Sequence, residues 1–170
     1  MSTDPAARED VIVVGVDGSE PSKAALQWAA RMSAMTGAPI DAVTAWQPPP
    51  NYGWGYAYAD SNWRPDQDAE KVLTQTVDAV FGPDRPAGLR LIIQQGNPAK
   101  VLLDHCAKAQ MLVVGSRGHG GFVGLLLGSV SANCAEHARC PVLVVHGTTT
   151  DNKLTPAQAK RSRQITGEQE

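Results

Sequence analysis

Five short apolar runs, each rich in β-branched residues, alternate along the chain with amphipathic stretches of helical period, and this alternation restricts the fold more than any other feature. Val11-Ile12-Val13-Val14-Gly15-Val16 is nearly continuous in apolar residues, as a strand covered on both faces requires. Asp17-Gly18-Ser19 ends it and Pro21 sits where a first helical turn tolerates proline. Ala25, Trp28, Ala29 and Met32 then repeat at i, i+3, i+4 and i+7 as far as a stop at Gly37. Strand, turn, helix is the unit.

The unit recurs. Ile40 to Trp46 predicts a second strand, and Ala69, Val72, Leu73, Thr76, Val77 and Val80 give a helical face closed by Gly82-Pro83. Leu89 to Gln94 predicts a third strand. Gly96-Asn97-Pro98 supplies a turn, an N-cap and an early proline for a helix in which Val101, Leu102, His105 and Cys106 share a face. Met111 to Val114 is the fourth strand, Ser131 to Ala138 a further helix, and Pro141 to His146 the fifth strand. Strands that alternate with helices argue for an α/β fold on a largely parallel sheet. At 170 residues, 42% hydrophobic and 19% charged, the chain is the size of one domain with enough apolar material for its core.

Three segments depart from this rhythm. Residues 1–9 are small and polar and are expected to be disordered, as is the polar tail over 148–170, where Lys160-Arg161-Ser162-Arg163 reads as a solvated basic cluster. The loop over 47–66 opens on Pro48-Pro49-Pro50 and holds Tyr52, Trp54, Tyr56, Tyr58 and Trp63. Its rings suit a flap packed on the body or on a second subunit, ahead of direct stacking on a ligand.

Several classes of function are excluded or disfavoured. A net charge of −2 gives no global attraction for nucleic acid. No apolar run approaches the roughly 18 residues of a membrane span, and Asp4, Arg8, Glu9 and Asp10 do not resemble a signal peptide, so a cytoplasmic protein is expected. Cys106, Cys134 and Cys140 are odd in number and widely spaced in apolar surroundings, which predicts reduced, mostly buried thiols. His105 and His137 have no partner at metal-ligand spacing and read as structural or surface residues.

The densest signal lies between Gly115 and Ser131. Gly115-Ser116-Arg117-Gly118-His119-Gly120-Gly121-Phe122-Val123-Gly124 places five glycines in ten residues directly after an apolar strand, which suits close approach of backbone to a ligand. Gly128-Ser129-Val130-Ser131 then opens a helix, so free N–H groups, hydroxyls and the positive end of the helix dipole converge as they would to hold phosphate. The segment is not a P-loop, because no lysine occurs between Lys108 and Lys153. Nor does Gly15-Val16-Asp17-Gly18 carry the third glycine or the spacing of a dinucleotide fingerprint.

The spacing that does occur, Gly115-x-x-Gly118, nine residues, then Gly128-Ser129, resembles the ATP-binding signature of the universal stress protein family. Val13 to Ser19, Gly96-Asn97-Pro98 and Pro141 to Val145 extend the match in order. The resemblance covers about residues 9–147 and marks 10–147 as the domain. It implies a Rossmann-like fold of the adenine nucleotide alpha hydrolase kind, with five parallel strands in the order 3-2-1-4-5 flanked by helices. It also implies a homodimer through the Pro141–His146 strand and a nucleotide-dependent regulatory role in stress response, with an unidentified protein partner.

By the same resemblance, Gly15 and Asp17 line an ATP pocket and the backbone near Ala45 meets adenine. Gly115, Ser116, Arg117, Gly118, His119, Gly120 and Gly121 wrap ribose and phosphates, and Gly128, Ser129, Val130 and Ser131 hold phosphate. Magnesium is expected with the nucleotide. Asp17 either bonds ribose or a cation, or forms an Asx-type turn or cap before Pro21. Arg117 is expected to neutralise phosphate, and His119 contributes through its ring or its backbone. With no glutamate or lysine in the motif, slow or no ATP turnover is expected, an ATPase or phosphoryl- or nucleotidyl-transfer enzyme being the alternative, and a dimeric interaction protein without nucleotide a third reading. Gln110 stands where family members commonly carry aspartate, a departure that touches capping or surface charge rather than the pocket.

Overall fold

A computed structural model describes residues 9–48, 64–118 and 127–147. Most of the aromatic loop, the polar tail and the residues His119, Gly120 and Gly121 lie outside the described residues. The element order is β1 (Ile12–Gly15), α1 (Glu20–Thr36), β2 (Ile40–Trp46), α2 (Pro65–Phe81), β3 (Arg90–Gln95), α3 (Pro98–His105), β4 (Met111–Gly115), α4 (Ser129–His137) and β5 (Val142–Val145). All strands pair in parallel in the order β3-β2-β1-β4-β5, as the family resemblance implies.

The continuous β-branched run around β1 has the expected cause. Ile12, Val14 and Val16 point into one apolar layer with Ala25, Leu26 and Ala29 of α1 and Leu73 and Val77 of α2. Val11 and Val13 point into the other, with Val101 and Leu102 of α3 and Cys134 of α4. Successive strand residues face opposite sides, so a strand between two helical layers has no position left for a polar residue.

Local signals set the helix ends. Ser19 caps α1 by accepting from the Ser22 N–H at 3.3 Å, Asn97 caps α3 by accepting from the Lys100 N–H at 3.2 Å, and Gly37 closes α1 in the left-handed conformation. The face expected of α1 is corrected in part. Ser22, Ala25, Leu26 and Ala29 form the buried stripe, while Trp28 lies at its edge, 41% exposed, with the Arg31 guanidinium 5.0 Å from its ring centroid. Two alanines on the stripe bring α1 close to the sheet, which leaves no depth there for an indole.

Buried polar groups are paired. Arg90 on β3 holds Asp41 on β2 with two bonds, Nε to Oδ1 at 3.0 Å and Nη2 to Oδ2 at 2.6 Å, and Asp41 is 1% exposed. His105, on the buried face of α3 as expected, meets Gln94 Oε1 through Nε2 at 2.6 Å. Burial lowers its pKa below the ordinary histidine value. Asp41 and Asp104 oppose that shift and Arg90 adds to it. Among the described residues no helix is long and apolar enough to cross a membrane.

Candidate functional site

β1 and β4 are neighbours, yet the helices after them leave to opposite layers, α1 to that of α2 and α4 to that of α3. Parallel strands whose continuations part in this way open a crevice at their carboxyl ends, where open α/β sheets take ligands. A cavity of about 550 Å³ occupies that crevice, a size that accepts a small organic ligand. Gln110, at the amino end of β4 and exposed, is at the opposite end of the strand.

The sheet and α3 make the apolar part of the lining. Val43 and Ala45 come from β2, Val114 from β4 and Leu102 from α3, with Val16 just beyond β1. Gly15 belongs here for a packing reason, since a Cβ on it would stand 3.0 Å from Leu102 Cδ1. Val16 is fixed by its N–H to Val43 O at 2.9 Å and by Thr44 Oγ1 donating to its carbonyl at 2.7 Å.

The polar part comes from three separated segments: Asp17 after β1, Arg117 and Gly118 after β4, and Gly128 to Ser131 at the start of α4. Asp17 Oδ1 accepts from the Ser19 N–H at 3.0 Å and the Ser19 hydroxyl at 2.5 Å, so the Asx-type turn is present. Asp17 also borders the cavity, and its Oδ2 lies where a Cβ on Gly118 would be. A side chain at 118 would therefore have to displace that carboxylate. Gly115 answers to a different neighbour. A Cβ there would stand 2.8 Å from both the carbonyl carbon and the Cβ of Pro21, so the first turn of α1 crosses β4 where there is no side chain.

The amino end of α4 differs from those of α1 and α3. Its N-cap is Gly128, which has no side-chain acceptor, and no side-chain cap bond is made. The first helical N–H groups, of Ser129, Val130 and Ser131, have no acceptor within the helix, and their residues line the cavity. The turn is held from behind by Ser116. Its carbonyl accepts from the Gly128 N–H at 2.8 Å and the Ser131 hydroxyl at 2.9 Å, and its own N–H reaches Val145 O at 2.7 Å. Ser116 is 3% exposed and outside the lining; it positions the α4 turn rather than facing the cavity. Ser131 lines the cavity, but its hydroxyl proton serves the Ser116 and Gly128 carbonyls.

Of the residues expected from sequence, Gly15, Asp17, Ala45, Gly115, Arg117, Gly118, Gly128, Ser129, Val130 and Ser131 are thus brought to one cavity. His119, Gly120 and Gly121 lie outside the described residues. Sequence reasoning missed Val16, Val43, Leu102 and Val114 among the lining residues. Each sits on or beside an element whose register or helical face was read correctly, but nothing local marks which residue of a buried face reaches the end of the sheet.

The arrangement offers an apolar slot for a flat ring on one side, and the uncapped N–H donors of α4, with Arg117 nearby, on the other. Among the described residues no group of three or more His, Cys, Asp or Glu side chains is placed to hold a metal alone. Among the described residues Asp17 is the one carboxylate that lines the cavity, so a cation there would need further oxygen ligands from outside the protein.

A doubly wound α/β domain with its cavity at the switch between β1 and β4 is the class defined by this fold and site. The chain belongs to the universal stress protein family, whose model matches residues 10–146. It is 35% identical over 149 residues to a universal stress protein of Mycolicibacterium smegmatis, covering 83% of this chain and 49% of that one. The chain spans about half the length of the curated relatives it matches. Among solved structures it is similar to a universal stress protein in complex with cAMP, at 29% identity and a TM-score of 0.53 over 82% of this chain and 98% of that one. A universal stress protein of Archaeoglobus fulgidus in complex with dAMP shares the fold at 20% identity and a TM-score of 0.55, covering 80% and 97%.

Proposed function

We propose that this chain binds ATP with magnesium in the cavity between β1 and β4 and works as a nucleotide-dependent regulatory module of the stress response. The observation that carries the reading is the convergence of Gly115, Gly118 and Gly128–Ser131, which are separated in sequence, on one cavity whose helix end has no side-chain cap. The adenine would lie against Val43, Ala45 and Leu102. Phosphate would take the α4 N–H groups and the Arg117 guanidinium, because a helix amino terminus and a fixed fork of donors both favour anions. Asp17 would hold magnesium or ribose. A bound cation there also removes the repulsion between its carboxylate and the phosphates.

Among the described residues of the lining none is a Gln, Glu or His that could position a water for attack on a γ-phosphate, so turnover is expected to be slow or absent. Nucleotide then acts by stabilising one arrangement of the α4 turn, which a partner reads. A homodimer through β5, at the edge of the sheet, and a cytoplasmic location complete the proposal.

A second reading, an adenine nucleotide with a single phosphate, is favoured by the relative solved with cAMP and by Arg117 being the one basic residue among the described residues of the lining. Thermal shift of the purified chain with ATP and magnesium, AMP and cAMP tests both, beside Gly118→Ala and Arg117→Ala. ATP-magnesium should raise the wild-type Tm most. Arg117→Ala should weaken ATP about tenfold or more, the worth of a charge-assisted bond, and Gly118→Ala should lose the response because its methyl displaces Asp17. A larger response to AMP or cAMP selects the second reading, and no response to any nucleotide in wild type ends both.

A further inference from the structure

The nucleotide reading makes no use of the flank of α1 that faces the open edge of the sheet. Trp28 and Met35 are the two exposed large apolar side chains among the described residues, and both stand on that flank. Pro21, Trp28 and Met35 are spaced by seven, which returns to nearly the same side of a helix, and Met32 lies beside them at i+4 from Trp28. Pro21 is seated against Gly115, at the end of β4, and Gly147, just past β5. The line it begins therefore runs along the β5 side of α1, opposite α2, which packs over β2 and β3. Because α1 returns antiparallel to the strands, seven helical residues descend about 10.5 Å from Pro21, and four strand steps descend about 13 Å from Gly147 to Leu143. Trp28 thus stands level with the middle of β5.

β5 is itself an open template at the end of the sheet. The Leu112 N–H donates to Pro141 O and the Ser116 N–H to Val145 O, so the odd-numbered residues turn their backbone groups to β4. Val142 and Val144 turn theirs to the outer edge. The strand, Val142-Leu143-Val144-Val145, carries no charge, and its first three residues are only half-buried. The opposite edge is guarded, since β3 carries Arg90, Gln94 and Gln95. Leu143 packs into the α1 layer, whereas Val142 and Val144 pack into the layer of α3 and α4.

We infer that a second copy of this chain seats on the β5 edge and the α1 flank together, with Trp28 of each copy packed over the joined strands. The inference rests on the β5 dimer of the proposed function and adds to it a helix contact on which its affinity depends. Identical edges related by a twofold axis perpendicular to the sheet run antiparallel. With Leu143 opposite the partner's Leu143, Val142 exchanges N–H···O bonds with the partner's Val144, and Val144 with the partner's Val142. Both α1 helices then lie on one face of a continuous sheet. At about 4.8 Å between strands, two helices centred over β1 and β4 of their own copies stand about 19 Å apart. Helices in direct contact need only about 8–10 Å, so a trough remains, floored by the two Leu143 side chains and walled by Trp28 and Met32 of each copy. Side chains of that length fill it, and an indole that one copy leaves 41% exposed is buried by two.

Sedimentation equilibrium of the full chain over a range of concentrations reads the dimer, wild type beside Trp28→Ala, Trp28→Lys and, as a control at an exposed neighbouring position off the flank, Gln27→Ala. The dissociation constant of the wild-type dimer should rise about tenfold or more in Trp28→Ala, because a central aromatic anchor is lost twice per dimer. Trp28→Lys keeps an aliphatic cover for the helix but sets two like charges across the axis, and should be monomeric. Gln27→Ala should match wild type. Hydroxyl-radical oxidation of Trp28, read by peptide mass, needs no variant and should be slower in the wild-type dimer than in the dissociated chain. A dimer that Trp28→Ala leaves unchanged, or whose Trp28 oxidises as fast as that of the dissociated chain, would overturn the inference and leave the β5 dimer standing. A wild-type monomer would overturn both, and a Trp28 that then becomes reactive only when residues 148–170 are removed would assign the flank to the chain's own tail. None of these readouts depends on what the β1–β4 cavity binds.

Discussion

Gly115→Ala separates packing from ligand approach as the reason for glycine at the end of β4. The added Cβ would stand 2.8 Å from the Pro21 carbonyl carbon, 2.8 Å from Pro21 Cβ and 3.0 Å from the Ser22 nitrogen. Non-bonded carbons rest at about 3.5–4.0 Å, so the overlap is roughly 0.7 Å or more, against main chain that has no rotamer by which to move away. The first turn of α1 must lift, although Pro21 is also held near Gly147, where a Cβ would lie 3.1 Å from its nitrogen. Overpacking of this kind costs about 1–3 kcal/mol, and the lower entropy of an alanine-containing unfolded chain offsets about 0.4–1 kcal/mol.

The net loss should be about 1–2 kcal/mol. In urea, with a slope of about 2 kcal/mol/M, the unfolding midpoint of the ligand-free protein then falls by about 0.5–1 M with the slope unchanged. Tryptophan fluorescence reads it. Gly128→Ala is the control, because its Cβ would meet nothing nearer than Arg117 Cα at 3.5 Å, and it should lose less than about 1 kcal/mol, the worth of a changed N-cap. A Gly115→Ala protein as stable as wild type, or less affected than Gly128→Ala, would refute the packing argument and leave ligand approach as the reason for the glycine.

Two further outcomes follow from the buried polar groups. His105 titrates below its ordinary value because burial disfavours the imidazolium, so the unfolded chain takes up a proton first as pH falls. Its contribution should be level at alkaline pH, decline by up to about 1.4 kcal/mol per unit as pH drops through about 6.5, and level off below the folded value. Urea midpoints between pH 5.5 and 8 should show this decline reduced in His105→Gln, and an equal decline in both proteins would assign it to other groups. Arg90→Leu removes two charge-assisted bonds from Asp41, which is 1% exposed, and should cost about 1.5–3 kcal/mol. Adding Asp41→Leu should restore much of that loss in the same assay, and a double variant no more stable than Arg90→Leu would count against a desolvated charge as the cause.

The elements and their class follow from local patterns along the chain. Strand burial on both faces, the Ser19 and Asn97 helix starts, the Gly37 stop and the uncapped start at Gly128 all depend on residues within a few positions of one another, and such patterns are legible in a single chain. The site residues near Gly115 and Gly128 were legible for the same reason, since the motif is short and follows a strand. Tertiary packing selects which distant residues meet. It set Pro21 over Gly115 and Asp17 beside Gly118, placed Ser116 behind the α4 turn, brought Val43 and Leu102 to the cavity, turned Trp28 to the edge of its helix face, and gathered three scattered cysteines into one layer. These outcomes depend on strand order and on how closely each helix approaches the sheet, quantities summed over many contacts from separate parts of the chain, which no local spacing encodes.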